Sequence, residues 1–222
     1  MEGRPVSSNN LASGGPAQSR QRITTEPRWQ PVLRATHAQL PPESRRWLTD
    51  NGSLTGHLVA SGRGQFAVKR LYQGWERPLP SESTLLGISP RQLSLVREVT
   101  LMLGRDPVVF ARSIFPISSL VGSLAHLRRL QSKSLGAILF RHPGMQRDPF
   151  EIARMPGNSH YLPDHLRQAE SAWGRRCRFG IEGKSLMVSE VFLESFTPWP
   201  GALPVHRSQR GKVNAAFPST TQ

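Results

Sequence analysis

The 222-residue chain has room for one domain of ordinary size with a real core. Its 29 Lys and Arg against 15 Asp and Glu give a formal charge of +14, which favours an anionic partner; yet the basic residues are scattered through every segment rather than gathered with aromatics on one helix or tail, which argues against nucleic acid. The single Cys177 excludes an internal disulfide and a multi-cysteine metal site and suits the reducing cytoplasm, and no apolar run is long enough for a secretory signal or a bilayer span.

In chain order, residues 1–30 are rich in Ser, Gly, Asn and Pro without periodicity and read as a disordered leader. "PPESRRWLTD" starts a helix on prolines and stops at Asn51-Gly52, and "SLTGHLVA" starts another behind Ser53. "QFAVKRLY" reads as a strand, followed by a Pro-containing loop. "LSLVREVTLML" and "PVVFARSIFP" read as a hairpin through Gly104, Arg105 and Asp106. "SSLVGSLAHLRRL" spaces Leu120, Leu124, Leu127 and Leu130 as a helix that would lie on the sheet, and "KSLGAILF" starts a short helix behind Ser134. "DPFEIAR" is another strand, Met155 to His165 a loop with a helical turn, and "AWGRRCRFGI" with "SLMVSEVFL" a second hairpin through Glu182, Gly183 and Lys184. Residues 199–222 have the leader's composition and read as a disordered basic tail, with Trp199 a candidate to pack on the body. Helices followed by hairpins imply an α+β fold with a single antiparallel sheet.

Three charges break apolar rows on three strands. Arg97 shares alternation with Leu95, Val99, Leu101 and Leu103; Arg112 with Val108, Phe110 and Ile114; Glu190 with Leu186, Val188 and Phe192. One reading is a structural ion pair of Arg97 or Arg112 with Glu190. The other is a covered pocket in which two guanidiniums meet anionic groups of a ligand and Glu190 handles a hydroxyl or a proton, with the amides at Leu54 and Leu135, each after a capping Ser, as further carboxylate donors. Arg175 shares the apolar row of its strand, while Arg176 and Arg178 would line a solvated face. His160 and His165 have no metal spacing, and neither Gly-Arg turn has the context of a phosphate loop.

"LVREVTLML…DPVVFARSIFPISSL", "KSLGAILF…RDPFEIAR" and "WGRRCRFGIEGKSLMVSEVFL" resemble bacterial chorismate pyruvate-lyase over Trp47 to Phe196. The resemblance implies a chorismate lyase-like catalytic domain over residues 31–198, with about six antiparallel strands and helical flaps over an internal pocket. It also implies the elimination of pyruvate from chorismate to give 4-hydroxybenzoate for ubiquinone biosynthesis, by a cytoplasmic monomer without cofactor or metal. Arg97, Leu54 and Leu135 would hold the ring carboxylate, Arg112 the enolpyruvyl carboxylate, and Glu190 the ring hydroxyl. Arg97, Arg112 and Glu190 would be the catalytic set. Three features depart from the family: the long ends, Leu54 where Met occurs in the family, and the longer segment from Met155 to Glu170. A ligand-sensing effector domain of the same fold is the alternative, though the leading residues are too polar to form the DNA-reading domain that such modules follow. The basic tails would offer a peripheral contact to anionic lipid.

Overall fold

A computed structural model describes residues 23–32, 40–197 and 212–213. The elements are β1 (Gln30–Pro31), α1 (Pro42–Thr49), α2 (Leu54–Ala60), β2 (Phe66–Glu76), α3 (Pro80–Leu86), β3 (Ser94–Leu103), β4 (Asp106–Pro116), α4 (Leu135–Leu139), β5 (Gln146–Arg147), β6 (Glu151–Met155), β7 (Ala172–Ile181), β8 (Lys184–Phe192) and β9 (Lys212–Val213), with 3-10 turns at Ile117–Ser119, Gly122–Arg129 and Asp164–Leu166. Among the described residues the strands form one nine-stranded sheet, ordered β1-β6-β7-β8-β4-β3-β2, with β5 on β7 and β9 on β5. All pairs are antiparallel except β5 with β9. The α+β class and single antiparallel sheet are as expected.

Both hairpins form where the sequence places them. The β7–β8 turn puts Glu182 and Gly183 at φ 51 and 74, the positive pair whose twist matches the flanking strands. A helix appears where a loop is expected: in α3, Pro80 opens the first turn, the Glu82 carboxylate accepts from the Leu79 N–H (2.8 Å), and Gly87 closes it at φ 65. The segment Gly122–Arg129 is 3-10 rather than α. Leu124, Leu127 and Leu130 repeat every three residues, so all three stack on the sheet only when the helix has three residues per turn, and all are buried.

Both faces of the sheet are covered. The front carries the larger core, in which Leu95, Val99, Leu101, Phe179 and Leu186 meet Leu54 and Leu58 of α2, Leu124 and Leu127, and Leu135 and Leu139 of α4. The back carries Phe110, Val191 and Met155 under Tyr161, Leu162 and Leu166, so the long Met155–Glu170 segment is a packed cover on the side away from the flaps. Trp29 meets Tyr161 edge to face, and Gln30–Pro31 pairs with β6, so the chain is already in the structure before residue 31. Residues 1–22, Trp199 and all of the expected tail but Lys212–Val213 lie outside the described residues. No helix among the described residues is long and apolar enough to cross a membrane.

Candidate functional site

Strand register sorts the polar side chains by face. Arg97 lies opposite Ser113, which lies opposite Val188, which lies opposite Cys177; one row along, Val99, Ala111, Glu190 and Arg175 are aligned in the same way. Both rows are on the front, beneath the helix pair α1–α2 and the segment from Gly122 through α4. Between sheet and flaps lies a cavity with about 640 Å³ of space not filled by atoms, solvent at its mouth included, lined by Arg97, Arg147, Arg175, Glu190, Leu54 and Leu135 among others.

The flaps meet at their helix starts. Ser53 Oγ accepts from the Gly56 N–H (3.2 Å), Ser134 Oγ from the Ala137 N–H (3.3 Å), and Thr55 Oγ1 lies 2.9 Å from Ser134 Oγ, so two capping turns close on each other above the pocket. Leu54 and Leu135 are the first residues of these helices, where amides lack intrahelical partners.

Buried guanidiniums tie the flaps to the sheet. Arg97 donates to the carbonyls of Gln131 (2.8 Å) and Lys133 (2.9 Å), the chain entering α4. Arg175 donates to the carbonyls of Trp47 and Asp50 and, through Nε, to Glu190 Oε2 at 2.6 Å. Arg147 donates to the carbonyl and the side-chain oxygen of Asn51, and its guanidinium lies over the rings of Phe140 (5.3 Å) and Phe150 (4.7 Å). Burial, with the charge of Arg70, lowers Arg97 to about 10, and burial also lowers Arg147; both remain cationic at neutral pH. Three guanidiniums against the Glu190 carboxylate leave the pocket with two positive charges, a poor place for a cation or a neutral ligand and a good one for a dianion. Behind α2, His57 Nε2 meets Asp50 Oδ2 at 2.6 Å, fixing the turn between α1 and α2. Among the described residues no group of three His, Cys, Asp or Glu side chains is placed to hold a metal.

The family model described as Chorismate lyase matches residues 25–199. The chain belongs to the chorismate lyase family. It is 39% identical over 168 residues to a protein of Pseudomonas aeruginosa (strain UCBPP-PA14) named "Probable chorismate pyruvate-lyase", covering 76% of this chain and 93% of that one. It is 38% identical over 177 residues to a protein of the same name from Aromatoleum aromaticum, covering 76% and 94%. Among solved structures, the effector domain of PhnF from Mycobacterium smegmatis aligns at 14% identity over 68% of this chain and 96% of that one, with a TM-score of 0.47.

Of the residues the sequence singles out, Arg97, Glu190, Leu54 and Leu135 all line the one cavity. Arg112 does not. It stands opposite Glu98 and Ser189 on the back of the sheet, where Nε and Nη2 grip Glu82 (2.7 and 3.1 Å) and Nη1 holds Glu98 (2.7 Å). The pocket role expected of Arg112 is therefore corrected: one residue of parity separates it from Ser113, which does face the cavity. The ion pair expected of Glu190 exists, with Arg175 in place of Arg97 or Arg112. Arg176 is buried rather than solvated, paired with Glu151 and bonded to Ser81, while Arg178 keeps an exposed pair with Asp148. Sequence reasoning misses Arg147. It sits on a two-residue strand with no alternation to read, and the only signal is a charge three residues before buried Phe150.

Proposed function

We propose that this chain is a chorismate pyruvate-lyase that releases pyruvate from chorismate to give 4-hydroxybenzoate, without cofactor, and supplies ubiquinone biosynthesis from the cytoplasm as a monomer. The observation that carries the reading is that Arg97 and Glu190, two strands and one row apart on the same face of the sheet, line the same flap-covered cavity with its excess of two positive charges. A ring carboxylate would sit on the Arg97 guanidinium, whose Nε has no partner among the described residues, beside the first turns of α2 and α4. The ring hydroxyl would meet Glu190, held in place by Arg175.

In this reaction the carbon bearing the hydroxyl loses its proton, the neighbouring ring carbon–oxygen bond breaks, and the ring becomes aromatic. The departing enolpyruvate takes up a proton on carbon and becomes pyruvate, so atoms and charge balance. The site's work is to hold the dianion in one orientation, to exclude water, and to oppose negative charge growing on the leaving oxygen. Glu190 would position the hydroxyl or accept the proton.

The test is incubation of purified protein with chorismate. Equal amounts of 4-hydroxybenzoate and pyruvate are expected, and Arg97→Ala should lower kcat/KM by about a hundredfold or more while the chain still folds. Tight chorismate binding with no pyruvate released would favour the sensing module instead.

A further inference from the structure

We propose that Arg147 sets the specificity of the pocket: its guanidinium receives a second carboxylate of the ligand, at the end of the cavity opposite Arg97, so that a dianion is taken in preference to a monoanion. This rests on the reading that the cavity binds chorismate, which carries one acid on its ring and another on its ether arm.

The position comes from the sheet. Arg147 stands opposite Phe179, and the strands run β5-β7-β8-β4-β3, so four steps of about 4.8 Å separate the backbones of Arg147 and Arg97 across the cavity floor. Both side chains line the cavity that lies above that floor.

The need for a ligand comes from how carboxylates are distributed. On the back of the sheet Arg112 holds two of them and Arg176 a third. On the front, Arg175 takes Glu190. Arg97 and Arg147 are each 2% exposed, and among the described residues neither has a carboxylate within ion-pairing distance. Their described hydrogen-bond partners are neutral, oxygens of Gln131 and Lys133 for one and of Asn51 for the other, and the Nε of each is buried with no partner among the described residues. A buried charge satisfied only by carbonyls and ring faces still carries a large desolvation cost, which an arriving anion offsets. Phe140 and Phe150 lie against the Arg147 guanidinium and Asn51 occupies Nη2, leaving the Nε–H to donate to a carboxylate. Once pyruvate departs, the remaining acid engages Arg97 alone, so Arg147 discriminates substrate from product.

The experiment compares two unreactive ligands by calorimetry: 4-hydroxybenzoate, with one carboxylate, and 3-(carboxymethoxy)-4-hydroxybenzoate, with a second on an ether arm. In Arg147→Gln the dianion should bind at least about tenfold more weakly, while 4-hydroxybenzoate changes less than threefold, which also shows the pocket intact. Equal weakening of both ligands, or of neither, overturns the proposal. Asn51→Ala removes the side-chain half of the flap contact, leaving the Asn51 carbonyl and the guanidinium in place; if it reproduces the selective loss, Arg147 acts through the flap and the direct contact is refuted. Should Arg147→Gln not fold, Arg147→Lys keeps the charge without the fork and should show a smaller selective loss, equal loss again being the refuting result. Absence of chorismate turnover by the wild-type protein would instead strike the proposed function and leave the ligand comparison readable.

Discussion

Cys177 poses the competition of effects in the pocket most sharply. The thiol lines the cavity beside Arg147 and Arg175, neighbours that lower a thiol's pKa, yet it is fully enclosed. Burial is the larger influence and the Glu190 charge adds to it, so the thiol is pushed up to about 12 despite the two guanidiniums. A neutral, covered thiol is a poor nucleophile. Labelling with a disulfide reagent at pH 8 should therefore be at least about a hundredfold slower in the native protein than in urea, with one thiol reacting per unfolded chain. Rapid native labelling would mean that the arginines outweigh burial, or that the flaps open far more often than their bonding suggests.

At the level of elements, the flaps are held by few but well-placed contacts, and the turn between α1 and α2 depends on Asp50. Burial works against its charge, but the hydrogen bond and charge of His57, the charge of Arg175 and the Gly52 N–H together hold its carboxyl below the usual 3.8. A carboxyl with a lowered folded pKa binds fewer protons folded than unfolded as pH falls past its unfolded value. Its contribution is thus complete above about pH 4 to 5 and is lost as pH drops through the folded value. Asp50→Asn should lower the melting temperature at about pH 5, and the gap from wild type should shrink as pH falls below 3.8. A gap that persisted undiminished at pH 2.5 would show that the loss comes from packing rather than from the charge. Most of these elements were legible in the sequence because turns and caps are local chemistry. The exceptions share a cause: α3 is announced by Pro80, Glu82 and Gly87 rather than by an apolar stripe, and the Gly122–Arg129 turn has a period of three that is easily taken for 3.6.

At the level of the whole molecule, the sheet has a front that lines the cavity and a back that holds a buried set of ion pairs, and alternation alone does not reveal which is which. Strand β4 is buried on both sides from Val108 to Pro116, so its two rows are equally apolar and a charge on either looks like a pocket residue. Arg97 and Glu190 could be placed on one face because their rows continue into the same core; Arg112 could not, because its neighbours Glu98, Ser189, Arg176 and Glu151 come from four other strands and Glu82 from a helix. That back row is a closed electrostatic system, with Tyr161 bonded to Ser189 (2.7 Å) at its centre. Removing its central cation leaves Glu82 and Glu98 buried without their guanidinium, a class of change that costs about 3–5 kcal/mol. Arg112→Met should therefore lower the denaturation midpoint strongly, whereas at a temperature where the variant is folded its affinity for 4-hydroxybenzoate should stay within about threefold of wild type, because no atom of Arg112 lines the cavity. Chemical denaturation paired with calorimetric titration separates the two quantities. A variant of near-normal stability that had lost the ligand would return Arg112 to the pocket and reverse the assignment of the two faces.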